Sequence, residues 1–594
     1  MRARGLVVLA ALLVGAAGTG SASASVSRFT IGYSSERSLT AALASAHGTV
    51  VRRIPALHVA EVEPEGPPLR FAARIACRPG IRSVEPVAFR VSRAEPGLTG
   101  RLANGLPLEW EYGAAEADAV PASILRAAGA VTIAVIDTGA DLTAPDLAAK
   151  GATGYNVRTT GADVRDPDGH GTFVASIAAG SGTNREGLTG FGGAAKLLVV
   201  KAGSRAGAFT DVDEAFGIVY AVDHGARIVN LSLGGPTTSL VERMAVQYAA
   251  NHGVLLVAAA GNDAQNGNPV EYPAALLQPV GSDGATGLGL AVGASTMLGD
   301  RAPFSSYGSY LSLVAPGVDV LGALPSAGTA SAFQTVRLPG SRHGRYGVGS
   351  GTSFAAPQVS GAAALVWAAA PSLSAAEVAT ILEETASGNG AWDSELGHGV
   401  LNVAAAVARA SGRPLVHLSG LRTDGRVRLS WRGYGVSTFR LAVRVDGGRS
   451  LVLGTDTTAA GASLPLAGSH VFTFTVTGLG PDGTPAVTSA PFTVSTVRSH
   501  AAVALASSHA RSGAARLLTV TASLRAALPS VPLAARPLVL EARLGGRWQM
   551  LGRARTDEAG QAQWTLRLAT PTFSVRVVFP GAADLAAASA ALAS

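Results

Sequence analysis

Residues 351–366 constrain the fold of this chain more than any other stretch. Gly351-Thr352-Ser353-Phe354-Ala355-Ala356-Pro357 runs on into Val359, Gly361, Ala362, Ala363, Ala364, Leu365 and Val366. A small, apolar segment of that length reads as a helix packed on all sides. Pro357 then belongs in its first turn, where the missing N–H would have no partner anyway. Ser353 is thereby placed at the mouth of a buried helix. There the positive end of the helix dipole and free N–H groups suit a nucleophile that generates an oxyanion beside it. A serine standing alone in that place would be no more than a cap.

Two upstream stretches supply company. Val131-Thr132-Ile133-Ala134-Val135-Ile136 is a continuous β-rich apolar run, as expected of a strand buried on both faces, and it ends in Asp137-Thr138-Gly139-Ala140-Asp141. A carboxylate at the end of a buried strand is where α/β chemistry usually sits. In Asp168-Gly169-His170-Gly171-Thr172-Phe173-Val174-Ala175-Ser176-Ile177-Ala178, a histidine flanked by glycines opens a helix with an apolar face.

Together VIDTGAD, DGHGTFVASIA and GTSFAAPQVSG, in the order Asp, His, Ser, resemble the catalytic signatures of the subtilisin-like (subtilase) serine endopeptidases. The resemblance implies Ser353 as nucleophile, His170 as general base and then acid, and Asp137 as the carboxylate that orients the imidazole. The α/β-hydrolase alternative is excluded by the chain order and by Ala355, which stands where G-x-S-x-G needs its last glycine. Phe173 and Gln358 replace residues that are histidine in many relatives, and touch neither role.

Further roles follow from the same resemblance. Asn262, closing Ala258-Ala259-Ala260-Gly261-Asn262, is implied as side-chain donor to the oxyanion. Ser232, Leu233 and Gly234, with Ala259 and Gly261, are implied as the edge on which extended substrate pairs as an added strand. Glu271, in Val270-Glu271-Tyr272-Pro273-Ala274, aligns with the floor of the first specificity pocket. A carboxylate there would favour Lys or Arg before the scissile bond, whereas a Glu271 turned to solvent would read nothing. Asp146 resembles a calcium ligand, and the loop 182–190, with Asn184, is where the family often completes that site. One carboxylate and one such loop fall short of the six to eight oxygens calcium wants, so structural calcium is an expectation and the chemistry itself requires no cofactor.

Arg2 and Arg4, the apolar run Gly5 to Ala17 and Ser-Ala-Ser-Ala at 21–24 read as a secretory signal peptide, too short to span a membrane. The expected location is therefore secreted. The formal net charge of +7 is concentrated in residues 1–90, with eleven arginines against five glutamates, which leaves +1 over the rest. Nucleic acid is not an expected partner. The one cysteine, Cys77, falls in the segment expected to be removed, so the mature protein would carry no disulfide.

Residues 25–91 read as βαββαβ, with strands at Arg28–Tyr33, Thr49–Ile54, His58–Glu63 and Arg82–Phe89 and helices at Glu36–Ala46 and Leu69–Cys77. That ferredoxin-like α+β module, placed between signal peptide and protease, is similar to an inhibitory propeptide, and residues 92–107 form a linker that contains the cut. From 108 to 412, strands Leu197–Lys201, Arg227–Leu233 and Val254–Ala260 alternate with helices Asp211–His224 and Leu240–His252. This implies an α/β fold, a subtilisin-like parallel sheet with helices on both faces and the site at the strands' carboxyl ends. Ser374-Ala375-Ala376-Glu377 is a capping box.

After Gly412 the pattern turns to short alternating strands. Residues 413–496 resemble a fibronectin type III domain and 497–594 an immunoglobulin-like domain, both all-β sandwiches, with 495–513 read as a linker between them. Trp548 and Trp564 could contact polymers, but core packing is the commoner use of a strand tryptophan. The partners implied are polypeptide substrates and the chain's own propeptide, with no transmembrane anchor and a monomeric state. A peptide ligase on the same fold and an inert surface-binding protein are the alternatives.

Overall fold

The computed structural model describes residues 28–91 and 109–593, except 185–186, 286, 328–332, 337, 339–343, 424–425, 467–469, 497–500, 513–514, 527–535, 545–546, 558–559, 569–573 and 581–587. The expected signal peptide and the 92–107 linker lie outside the described residues. The chain divides into two compact units, 1–417 and 418–594.

The first unit opens with four strands, β1 (Phe29–Tyr33), β2 (Gly48–Ile54), β3 (Val59–Pro64) and β4 (Ile81–Pro86), in an antiparallel sheet of order β2-β3-β1-β4. Helices Glu36–Ala46 and Pro68–Ala76 bury Leu39, Phe71 and Ile75 against Phe29, Ile31 and Tyr33. The expected strand Arg82–Phe89 is corrected here. It ends at Pro86, and Phe89–Val91 forms a separate strand, β5, that leaves this sheet altogether.

The centre is a parallel sheet of seven strands: β6 (Thr132–Asp137), β7 (Thr153–Asn156), β8 (Lys196–Lys201), β10 (Ile228–Leu231), β11 (Leu255–Ala259), β12 (Gly289–Ser295) and β13 (Leu313–Pro316). Their order is β13-β12-β11-β10-β6-β8-β7. The short β9 (Ala208–Thr210) lies outside it. One face of the sheet offers Ala134, Ile136, Val229, Leu231 and Leu256 to Ile218, Val241 and Val246 of helices Asp211–Asp223 and Leu240–Asn251. The other face receives helix Thr352–Ala369, whose Ser360 Oγ donates to Asn230 Oδ1 at 3.0 Å. Both faces are covered, so the strands read as unbroken apolar runs.

Residues 352–367 of that helix are all buried, and its small side chains allow the closeness. A Cβ at Gly361 would stand 2.6 Å from the Gly192 backbone nitrogen. Pro357 departs from expectation: it sits inside the helix, beyond the first turn. The proline removes the N–H that would bond the Ser353 carbonyl four residues back, and Ser232 Oγ donates to that carbonyl instead at 2.7 Å.

Among the described residues, the regular elements of the second unit are strands. Sheets of three and five strands between 415 and 495 bury Leu429, Trp431, Leu441 and Phe474. Between 501 and 593, sheets of three and four strands enclose Leu518, Val520, Leu540 and Val577, with Trp564 packed against that core. The linker reading of 495–513 is overturned, because Ala501–Ser512 is a twelve-residue strand paired along its length with Ala515–Ala526.

Candidate active site

Asp137 ends β6, and Thr138 N–H donates to its Oδ1 at 2.7 Å. His170 is the first residue of helix His170–Ala179. The fit between them depends on glycine: a Cβ at Gly171 would come 2.1 Å from the Gly139 carbonyl oxygen, and Gly139 itself has φ +117°. With that approach made, His170 Nδ1 lies 2.9 and 3.1 Å from the two Asp137 carboxylate oxygens. The acceptor-only carboxylate places the ring proton on Nδ1, which leaves Nε2 as the basic nitrogen.

Asp137, His170 and Ser353 are all buried. Burial, the largest influence, pulls the imidazole pKa down. The charge and hydrogen bond of Asp137, with smaller contributions from Asp168 and Asp166, outweigh it and leave the pKa raised. Ser353 lies in the first turn of its helix, next to Phe354, whose ring centroid is 5.6 Å from that of His170. Its Oγ donates to the Ser232 carbonyl at 3.3 Å, and among the described residues His170 Nε2 has no hydrogen-bond partner.

Asn262 follows β11. Its Oδ1 accepts from both Thr352 N–H and Thr352 Oγ1, at 3.0 and 2.9 Å, so the amide oxygen is fixed on the helix start. A cleft is lined by Asn262, Ser353, Leu233, Gly234, Ala259 and Gly261, together with Glu271. Glu271 is 7% exposed, so its side chain does not turn to solvent. A Cβ at Gly234 would lie 2.9 Å from its Oε2, and one at Gly261 would lie 2.6 Å from its Cγ. Ser232 stands behind the cleft, bonded to Ser353.

The same cleft edge holds β5. Phe89, Arg90 and Val91 pair antiparallel with Thr210, Phe209 and Ala208 of β9. On the other side Val91 N–H donates to the Gly234 carbonyl at 3.0 Å, and Gly234 N–H donates back at 3.1 Å. A segment of the N-terminal module thus lies as the middle strand of three.

Asp146 is apart from this cleft and fully buried. Its Oδ1 accepts from Asn184 Nδ2 at 3.0 Å and Leu188 N–H at 3.2 Å. Glu109, which sequence reasoning missed, joins it: its Oε1 accepts from Thr189 N–H in the same loop. Burial pushes Glu109 up to about 7, opposed by that N–H and reinforced by the charge of Asp146. The carboxylate oxygens of Glu109 and Asp146 are the hard donors calcium takes, whereas Asn184 turns its amide nitrogen to Asp146.

Asp166 also went unread. Its carboxylate accepts from Thr138 Oγ1, Gly169 N–H, Thr172 N–H and Thr172 Oγ1 at 2.6–2.9 Å, tying the strand end that carries Asp137 to the turn that carries His170. Its signal was present as one more acidic residue in Asp166-Pro167-Asp168-Gly169-His170.

The subtilase family profile matches residues 128–399. A thermophilic serine proteinase of Bacillus sp. (strain AK1) is 37% identical over 263 residues, 44% of this chain and 58% of that one, so less than two thirds of that relative's length is spanned. Thermitase of Thermoactinomyces vulgaris is 33% identical over 285 residues, 48% of this chain and 91% of thermitase. Among solved structures, fervidolysin from Fervidobacterium pennivorans, described as a keratinolytic enzyme related to subtilisin, shares the fold. Its TM-score is 0.55 at 22% identity, over 93% of this chain and 86% of that one. With its profile matched from the strand bearing Asp137 to beyond the helix bearing Ser353, and with thermitase aligned over nearly its whole length, the chain belongs to the subtilase family.

Proposed function

We propose that this chain is a secreted serine endopeptidase that cuts polypeptides through an acyl-enzyme on Ser353. The carrying observation is the Asp137–His170 pair, whose remaining ring nitrogen is without a partner among the described residues and whose ring meets Phe354, the neighbour of Ser353 at its helix start. In this reading Ser353 Oγ attacks the scissile carbonyl while His170 Nε2 takes its proton. Asn262 Nδ2 and the Ser353 N–H donate to the oxyanion, and the imidazolium then protonates the leaving amine. Water, deprotonated by the same imidazole, releases the acid. Apart from the substrate and the water, every group in these steps comes from the chain itself.

Residues 25–91 act in this reading as an intramolecular inhibitor, supported by β5 lying along Gly234 where extended substrate would pair. Secretion is supported by the signal-like residues 1–24. Structural calcium would be held by the carboxylates of Glu109 and Asp146, neutralising both and pinning the backbone at Leu188 and Thr189.

The test sets purified wild type beside Ser353→Ala. Wild type should digest unfolded casein, react with a serine-directed phosphonate and lose its N-terminal module, and the variant should do none of these. Equal casein digestion by the two proteins would end the reading.

A further inference from the structure

Arg90 is the residue of β5 that reaches into the protein. Its neighbours Phe89 and Val91 are 60% and 38% exposed, as the two-residue period of a strand requires, while the Arg90 side chain is wholly buried. Its Nε donates to Glu242 Oε1 at 3.1 Å and its Nη2 forms an ion pair with Glu242 Oε2 at 2.9 Å, with Glu214 Oε2 3.7 Å from Nε. Both glutamate side chains have no exposure. Burial, and next the charge of Glu242, hold Glu214 well above the ordinary carboxyl range, with Arg90 opposing. Two carboxylates buried face to face are costly without a cation. The scaffold helices that carry them, Asp211–Asp223 and Leu240–Asn251, do not provide it; the strand lying in the cleft does.

We infer that Glu214 and Glu242 form a specificity pocket of the enzyme itself, one that takes an arginine guanidinium from a polypeptide substrate three residues before the residue that is acylated. The inference rests on the endopeptidase reading and adds its substrate class. The position follows from register. Val91 is opposite Gly234 with both N–H···O bonds made, so the next such pair for a strand in this place falls two residues later, opposite Ser232. Ser232 carries the carbonyl to which Ser353 Oγ donates, which sets the acylated residue there. The residue in the place of Arg90 is three earlier. Backbone pairing to β9 and Gly234 is indifferent to side chains, so the charge pair carries the selectivity.

The chain's own sequence reads Arg90-Val91-Ser92-Arg93-Ala94. Arg93 and Ala94 lie outside the described residues. Counting along the sequence from Arg90, the residue three later, the one the register sets for acylation, is also an arginine. Arg-x-x-Arg is therefore the substrate pattern, and the bond after Arg93 is the maturation cut.

The experiment uses the processed wild-type enzyme with coumarin amides of acetyl-Arg-Val-Ser-Arg and acetyl-Ala-Val-Ser-Arg, together with casein. Replacing the first arginine should lower kcat/KM by about 30-fold or more, the penalty for leaving a buried charge pair without its partner. The mature N-terminus should be Ala94. Glu214→Gln should narrow the preference about tenfold; if that variant does not fold, the wild-type peptide pair decides alone. Casein digestion with the two peptides cut within threefold of each other overturns the pocket and leaves the endopeptidase reading intact. Failure on casein and on both peptides overturns both.

Discussion

Ser232 and Ser353 hold each other in both directions: Ser232 Oγ donates to the Ser353 carbonyl at 2.7 Å, and Ser353 Oγ donates to the Ser232 carbonyl at 3.3 Å. The first bond exists because Pro357 cannot supply the helical N–H, so Ser232 completes the helix that carries Ser353. Ser232→Ala removes this donor from a buried carbonyl, at a cost of about 1–3 kcal/mol. Adding Pro357→Ala restores a donor from within the helix. Thermal or denaturant unfolding of the four-protein cycle should show the second substitution recovering part of the loss caused by the first, whereas independent sites would simply add.

The acid limb of activity should lie above the ordinary imidazole value of about 6.5, since His170 must be neutral to act as base and its pKa is raised. The sign can be tested at Asp168, whose charge supports the imidazolium and whose Oδ1 accepts from His170 N–H at 3.2 Å. Asp168→Asn keeps an oxygen for that bond and removes the charge. The imidazolium then loses support, its pKa falls, and the limb of the kcat/KM profile should move to lower pH. A shift to higher pH would contradict the electrostatic account.

Asn262→Ala should lower kcat about 10²- to 10³-fold with little change in KM, as loss of one oxyanion donor does. Thr352→Val gives a sharper test of the geometry. It removes the hydroxyl that donates to Asn262 Oδ1 at 2.9 Å while leaving the 3.0 Å backbone bond, so the amide loses half of its anchoring. Its kcat should fall less than that of Asn262→Ala, again with KM held. A Thr352→Val enzyme weakened mainly in KM would place Asn262 outside the transition state.

Removal of calcium should lower Tm, and Asp146→Asn should leave a protein whose Tm no longer responds to chelator. Asp146 is fully buried and shares its surroundings with Glu109 and Asn184, so the ion would hold the N-terminal turn at Glu109 to the loop after the His170 helix. Calorimetry of wild type with and without chelator checks this. An unchanged wild-type Tm would assign those carboxylates to ordinary hydrogen bonding.

What could be read in advance follows from how local each signal is. The buried strands β6, β8, β10 and β11 announced themselves as continuous apolar runs, and Ser374 with Glu377 formed the expected capping box. Strand β5 gave no such notice. It is three residues long, its pairing partner Thr210 is more than a hundred positions from Phe89, and two of its three side chains are exposed. Glu214 and Glu242 were equally silent, because acids near a helix N-terminus already have a sufficient reason in the dipole, and Glu242 has a second in its capping box with Ser239. Only the fold discloses that both point at one buried guanidinium. The strand Ala501–Ser512 reads as a linker from sequence because alanine and serine carry little β-propensity, and its place is set by pairing with Ala515–Ala526.

Under the proposed function, Glu271 would set what the first specificity pocket accepts. Its carboxylate reaches both walls, close to Gly234 and Gly261, and it is buried enough that a substrate cation would meet it away from bulk water. Any side chain larger than hydrogen at Gly261 would meet it too, at 2.6 Å, so the pocket is shaped around this residue. A buried carboxylate gives an arriving guanidinium a charge-paired contact that a phenyl ring cannot make, so the comparison favours arginine. With acetyl-Arg-Val-Ser-Arg and acetyl-Arg-Val-Ser-Phe coumarin amides, kcat/KM should favour arginine by about 10²-fold. Glu271→Gln should retain the pocket's volume and lose most of that ratio through slower cleavage of the arginine peptide. If the phenylalanine peptide is the better substrate of wild type, Glu271 is held by the protein's own groups and the pocket selects by shape.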